Sequence, residues 1–315
     1  MRSSAMKNTS GPTNAFDSHA KPWFKADMKP FTLSICLALA IALPSNLFSQ
    51  GDRESALVTT GPPEGTLLIA GGAAITPILE RFIELAGGKG APIVYIPTAS
   101  GEIGDEAREA RADILRDLGA TNVSVLHTTD PKTADTESFA KPLRSAQGVW
   151  FGGGRQWRIV DAYEGTLTER LFWSVLERGG IIGGSSAGAT IQGSYLARGD
   201  TRNNQIMVGD HEKGFGFISN VAIDQHHIAR NRHFDMFAIL DQYPQLLGIG
   251  IDEGTAIEVT RNEFNVIGAG YVAIYDGTFW SREGSRLKQL PESNRLFYFL
   301  RPGDRYDLEE RSVIR

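Results

Sequence analysis

This sequence predicts an α/β fold, a mostly parallel sheet with helices on both faces, and three observations carry the prediction. Short apolar runs alternate with stretches of helical periodicity between Thr66 and Ile182, the pattern of right-handed βαβ units. The 35 glycines gather where apolar runs end, as tight strand-to-helix turns require. One such turn, Gly183-Gly184-Ser185-Ser186-Ala187-Gly188-Ala189, contains Gly184-x-Ser186-x-Gly188, the spacing of a nucleophile elbow. A phosphate-binding or merely connecting glycine turn shares that spacing, so the surrounding elements must decide.

The elements follow in order. Thr66–Ala70 reads as a first buried strand, ending in Gly71-Gly72. Ile78, Leu79, Phe82, Ile83 and Ala86 recur at helical spacing until Gly87-Gly88 stops them. Pro92–Ile96 is a second strand with a polar loop at Thr98–Ser100, and Glu106–Leu118 an amphipathic helix. A third strand, Val123–Leu126, is followed by a helix over Thr136–Arg144 and a fourth strand, Gly148–Phe151. After Gly152-Gly153-Gly154 come helices at Trp157–Tyr163 and Leu167–Glu177, then the strand Gly180–Ile182 and a helix from Ala187 to Leu196. Beyond Gly199 the chain turns to less regular β-like runs: Gly214–Ile218, Val221–Ile223, Leu247–Ile251, Thr255–Val259, Asn265–Ile267 and Gly270–Tyr275. Active sites of open parallel sheets lie beyond the carboxyl ends of the strands. The loops at Gly71, Thr98, Gly152 and Ser186 all open on that edge, which favours the elbow.

At the N-terminus, Met28-Lys29-Pro30 precedes an apolar stretch, Phe31–Leu43, and a small residue at Ser49. This is the layout of a secretory signal, and the stretch is shorter than the ~20 residues of a membrane span. Residues 28–50 are therefore expected to be a cleaved signal peptide and 1–27 an upstream extension that is not native. A flexible leader (51–65) and a single catalytic domain (66–315) complete the expected organisation, in a secreted or periplasmic protein. Cys36, the sole cysteine, lies inside the signal, so the mature chain has no thiol for a disulfide, a metal site or a nucleophile. A net charge of −5 gives no electrostatic reason to expect nucleic acid or an anionic membrane.

A serine needs a base held by a carboxylate. Ala187 N–H, at a helix start beside Ser186, is placed to stabilise an oxyanion. His127 has no polar partner in its loop, and His211 sits in a solvated one. His226 or His227, after the run Val221–Ile223, stands at another strand-to-helix junction. A metal set of Asp224, His226, His227 and His233 is disfavoured, because adjacent strand residues point to opposite faces and the spacing is not i,i+4. No cofactor is expected. The acid is open between Asp252 and Glu253, which point opposite ways, with Asp200 a further candidate. Arg230 and Arg232 suggest recognition of carboxylates, which guanidinium forks match.

Together, Ser186-Ala187-Gly188-Ala189, Gly153-Gly154-x-Gln156, Asp224-Gln225-His226 with Arg230-x-Arg232, and Gly250-Ile251-Asp252-Glu253-Gly254-Thr255-Ala256 resemble the cyanophycinase family of serine peptidases, related to aspartyl dipeptidases. The resemblance spans Leu67 to Asp276. It implies a class I glutamine amidotransferase-like, flavodoxin-like fold and hydrolysis of peptide or isopeptide bonds next to aspartate, in cyanophycin or β-aspartyl peptides. It also implies roles: Ser186 as nucleophile, His226 as base, Glu253 as orienting acid with Asp200 as substitute, and an oxyanion hole from Gly154 and Ala187. Gln156, Asp224, Gln225, Arg230 and Arg232 would bind substrate, and a homodimer is in keeping with relatives. Two positions depart from the pattern: Arg155 stands in place of an aspartate and Asp235 in place of a third arginine, both touching substrate choice.

Four alternatives remain in view. A glutamine amidotransferase of this fold needs a cysteine at the elbow, and the mature chain has none. An α/β-hydrolase orders its triad serine, acid, histidine, whereas the order here is Ser186, His226, Glu253. An aspartyl or isoaspartyl dipeptidase shares the machinery, and a non-catalytic peptide-binding member of the family would lack the reason to keep it.

Overall fold

The computed structural model describes residues 58–73, 75–286, 289 and 295–315. The expected extension and signal segment, 1–50, lie outside the described residues. The first sheet begins with strands that the sequence marks by short, mostly apolar runs: β1 (Thr66–Ala70), β2 (Ile93–Ile96), β3 (Val123–Val125), β4 (Gly148–Phe151) and β5 (Ile181–Ser185). They run parallel in the order β1-β5-β4-β2-β3. Between them lie α1 (Thr76–Leu85), α2 (Asp105–Arg111), α3 (Asp113–Arg116), α4 (Pro131–Ala134), α5 (Glu137–Ala140), α6 (Trp157–Tyr163) and α7 (Leu167–Glu177).

The chain then leaves this sheet. After α8 (Ala187–Thr190) it builds a second one from β6 (Gly193–Tyr195), β7 (Ile218–Gln225) and β8 (Leu247–Ile251), with α9 (Phe237–Leu240) between the last two. These three strands are parallel. It returns through β9 (Thr255–Thr260), antiparallel to β1, and β10 (Glu263–Gly268), antiparallel to β9. Next, β11 (Val272–Tyr275) and β12 (Tyr298–Leu300) extend the second sheet, and β13 (Arg305–Asp307) and β14 (Ser312–Ile314) the first. Parallel pairing thus runs from β1 through β8 and antiparallel pairing enters with β9, and the second sheet is an addition to the single sheet expected. A core shared by Leu67, Ile69 and Ile182 of one sheet and Val221, Ile223 and Ile249 of the other fills the space between.

Local differences from the expected elements have local causes. The helix after Ser186 stops at Thr190, because Gly193–Tyr195 pairs with β7 instead. The helix expected over Thr136–Arg144 becomes α5 plus a 3₁₀ turn, Lys141–Arg144, where Pro142 offers no N–H to continue it. The helix expected over Glu106–Leu118 divides at Ala112 into α2 and α3. Of the run Gly214–Ile218, only Ile218 is in a strand.

The leader also differs. From Val58 it is fastened rather than flexible: Val58 O accepts from Ser219 Oγ at 3.1 Å and Asn220 Nδ2 at 2.7 Å. Thr59 is fully buried and its hydroxyl accepts from Arg311 at 2.9 Å.

Candidate active site

Register places the first functional group. Ser185 lies opposite Ala70 of β1, and Gly184 opposite Phe151 of β4, so Ser186 emerges between the Gly71-Gly72 and Gly152–Gly154 loops. Its φ of 57° and ψ of −114° are a strained turn for an L-residue, held by a 3.2 Å bond from Ser186 N to Ala70 O. The flanking glycines are required by contact. A side chain at Gly188 would begin 2.1 Å from Phe151 O, and one at Gly184 2.3 Å from Gly188 O. Only hydrogens fit, and the backbone closes tightly enough to thrust the hydroxyl outward.

The second group stands at the end of β7. His226 Nε2 lies 3.0 Å from Ser186 Oγ, and Nδ1 lies 2.6 Å from Glu253 Oε1. A carboxylate only accepts, so Nδ1 carries the hydrogen and Nε2 presents a lone pair to the serine hydroxyl. Burial holds the imidazole below the ordinary histidine range; the nearby Arg230 and Arg232 charges add to this, and Glu253 opposes it. The ring is therefore neutral and basic at neutral pH.

Glu253 arrives because Gln225 pairs with Ile251, ending β7 and β8 together, after which the chain crosses to the first sheet through Asp252–Gly254. Asp252 turns the other way: its Oδ1 accepts from Ile228 N and Ala229 N, both at 2.9 Å, and so caps the turn after His226. Asp200 is committed elsewhere, to Arg202 and the Asn203 N–H.

Gly72 is a functional position that spacing alone did not reveal. A side chain there would begin 2.2 Å from His226 Cε1, and φ is 140°. Gly71 O accepts from His226 N and Gly72 O from Gly254 N, both at 3.0 Å, so one glycine pair touches the histidine and glutamate segments. Gly153 was likewise missed as a neighbour of the serine. A side chain on it would begin 3.4 Å from Ser186 Cβ. Gly152 N and Arg155 N bond to Ile96 O and Ala99 O, while among the described residues neither Gly153 N nor Gly154 N has a backbone acceptor. Ala187 lies at the start of α8, directly after Ser186.

The expected substrate ligands separate into two groups. Arg230 is exposed, and among the described residues no ion pair holds it. The other four are buried, and Asp224, Arg232 and Gln225 are bonded into one cluster. Asp224 is fully buried, with Oδ1 2.7 Å from Arg198 Nε and 3.3 Å from Arg232, and Oδ2 3.0 Å from Arg198. Burial drives its carboxyl upward, but the His227 ring and the two guanidiniums outweigh this and hold it far below the carboxylate range. Arg232 donates to Gln225 O at 2.7 Å and to Gln225 Oε1 at 3.1 Å. Gln156 is fully buried and donates to Ala197 O at 2.6 Å. Asp224, Arg232 and Gln225 therefore form one buried charged cluster beneath His226. The reason is electrostatic: a buried carboxylate gathers cations.

The histidines diverge as well. Tyr275 OH donates to His233 O at 2.6 Å, so His227 Nε2, 2.8 Å away, must donate to the tyrosine. His233 bonds Asn231. Among the described residues no three His, Cys, Asp or Glu side chains are grouped to hold a metal ion. A cleft of about 510 Å³, lined by Ser100, Glu102, Trp157, Arg158 and Asp161, borders the Gly152–Gly154 loop, which Ser100 Oγ touches at Gly153 O, 3.3 Å away.

The family profile described as Peptidase family S51 matches residues 66–267. The chain is 33% identical over 258 residues to the cyanophycinase of Geminocystis herdmanii (strain PCC 6308), covering 77% of this chain and 93% of that one. It is also 33% identical to the cyanophycinase of Synechococcus elongatus, covering 75% and 76%. Among solved structures it resembles a peptidase from an acI-B1 Actinobacterium, with TM-score 0.59 and 24% identity over 78% of this chain and 97% of that one. It also resembles a putative peptidase E from Listeria monocytogenes EGD-e, with TM-score 0.50 and 20% identity over 66% and 100%. The two structures support the flavodoxin-like α/β fold, the family match covers well over half of the sequence, and on these grounds the chain belongs to peptidase family S51.

Proposed function

We propose that this peptidase is of the serine type and hydrolyses peptide or isopeptide bonds next to aspartate, in cyanophycin or β-aspartyl peptides. The observation that carries the reading is the hydrogen-bonded line Ser186–His226–Glu253, at 3.0 Å and 2.6 Å, on the open edge of the sheet. His226 Nε2 takes the hydroxyl proton as Ser186 Oγ attacks the carbonyl carbon. Glu253 holds the ring in that tautomer and stabilises the imidazolium. The oxyanion is received by the N–H groups of Ala187 and the Gly153-Gly154 loop. His226 then protonates the leaving amine, and water, deprotonated by the same nitrogen, releases the acyl group.

Exposed Arg230 close to His226 supports a carboxylate on the acyl side, with a guanidinium suited to a planar anion. The cleft beside Gly153 offers room for the rest of a polymer or peptide. Export directed by residues 28–50 is supported by the signal-like layout, and a homodimer by the family resemblance alone.

The test is hydrolysis of cyanophycin and of β-aspartyl dipeptides by wild type and Ser186→Ala. The expected result is release of dipeptide or amino acid by wild type and a loss of roughly 10⁴-fold or more in the variant. Full activity in Ser186→Ala would overturn the mechanism. Cleavage of dipeptides but not of cyanophycin would instead assign the chain to dipeptidase work.

A further inference from the structure

Leu196–Asp200, which follows β6, is buried throughout, yet its polar groups reach loops on both sides of the site. Ala197 O accepts from Gln156 Nε2 at 2.6 Å, and Asp200 O accepts from Arg155. Gln156 and Arg155 directly follow the Gly153-Gly154 donors. Between Ala197 and Asp200 stands Arg198, also fully buried, with φ of 59°, a conformation that an L-residue keeps only where its surroundings enforce it.

The Arg198 guanidinium spends its donors in three directions. Nε and one terminal nitrogen grip both oxygens of Asp224, at 2.7 and 3.0 Å; the same nitrogen reaches Asp235 at 2.5 Å; and the other bonds Asn204 O at 3.0 Å. Asp224 lies two residues before His226, and Asp235 closes the turn that begins after it. One short segment therefore holds the oxyanion loop by its backbone carbonyls and both flanks of the base by a single side chain.

We infer that Leu196–Asp200 is a clamp that sets the oxyanion donors at their working distance from His226, and that Arg198 is its positioning residue. The inference rests on the serine mechanism proposed above. Arg198 touches neither substrate nor the reacting atoms; it acts through Asp224, Arg232 and the backbone on either side of the histidine. A planar fork gripping both carboxylate oxygens fixes direction as well as distance, which an ammonium cannot do. Errors of about 1 Å in such geometry cost on the order of 10²-fold in rate.

The experiment measures turnover of β-aspartyl peptide per active site, with sites counted by covalent titration of Ser186 with a fluorophosphonate. Titration discards misfolded molecules, so a merely structural role leaves the per-site rate unchanged. Arg198→Met is expected to lower kcat per titrated site about 10²-fold while KM stays within about threefold. Asp235→Asn, which keeps the Arg198–Asp224 pair, is expected to lower it about threefold to tenfold. Gln156→Leu should cost less in the Arg198→Met background than alone, because both act on one clamp.

A wild-type rate per titrated site in Arg198→Met overturns the proposal, and so does strict additivity with Gln156→Leu. Should Arg198→Met not fold, Asp235→Asn and Gln156→Leu decide; wild-type rates in both overturn it. Full activity in Ser186→Ala overturns the serine reading and the clamp together. An inactive Ser186→Ala beside an unaltered Arg198→Met overturns the clamp alone.

Discussion

Around Ser186 the chain is almost without side chains: three glycines, a second serine and two alanines. Around His226 it is crowded with charge, from Arg198 and Asp224 to Arg230, Arg232, Asp235 and Asp252. Both turns hold an L-residue at positive φ, 57° at Ser186 and 50° at His226, but by opposite means. The serine turn is held by close backbone approach, with Gly184 and Gly188 pressed on neighbouring atoms. The histidine turn is held by ion pairs and by Asp252 capping its amides. The first tolerates no added atom. The second tolerates no removed charge, because a buried ion left unpaired is costly.

The largest test of that contrast is the group that joins the two turns. Glu253→Gln keeps the size of the side chain but lets an amide N–H face Nδ1, favouring the wrong tautomer of His226. A fall in kcat of about 10³- to 10⁴-fold is expected, with Ser186 still in place but labelled by fluorophosphonate far more slowly. Gly72→Ala comes next. It inserts a methyl 2.2 Å from His226 Cε1, so the histidine turn should fail by an added atom, as the serine turn would. A loss of about 10²-fold in kcat with a folded protein by circular dichroism is the expected outcome.

Arg230→Ala is smaller and acts on substrate and base together. Loss of the exposed guanidinium should raise KM for an aspartyl peptide about tenfold while leaving an ester lacking the carboxylate unaffected. It also removes a positive charge that lowers the His226 pKa. The base works when neutral, so activity is lost as pH falls through that pKa. In wild type the acid limb of kcat/KM should lie below about 6.5, and in Arg230→Ala it should move to higher pH. The smallest effect is a control outside both turns. Arg311→Ala loses bonds to Thr59 Oγ1 at 2.9 Å and Gln245 O at 2.6 Å. It should lower stability by about 1–2 kcal/mol, seen as a fall of a few degrees in Tm, with kcat unchanged.

The same contrast explains what could be read from the sequence. The serine turn was legible because its restraints are local: glycine spacing, a preceding apolar run and the sheet edge lie within one stretch of chain. The five parallel strands were legible for the same reason, each being a short apolar run closed by a turn. The histidine turn was visible as a cluster, but not how its charges pair. Arg198 carries no periodicity or motif and lies 26 residues from its partner Asp224. For Asp224 and Gln156, residue type suggested ligands, and their burial among Arg198, Arg232 and Ala197 could not be read from spacing. The second sheet stayed hidden because β6 looks helical by composition, and only its pairing with β7 settles it as a strand. The acid, open among three carboxylates by spacing, is resolved by where β8 crosses to β9.

The anchoring of the chain at Val58 bears on how this protein can be handled. Val58 and Thr59 are tied to Ser219 and Asn220 at the start of β7, and His226 follows the far end of that strand. Seven residues at about 3.3 Å each separate Ser219 from His226, roughly 20 Å. Arg311, beside β14, meets the same spot through Thr59. Val58, Thr59 and Arg311 therefore meet at the start of β7, a strand's length from His226. A fluorophore attached beside Val58 would report on the base of β7 at a distance from the serine, and would leave the attacking hydroxyl untouched.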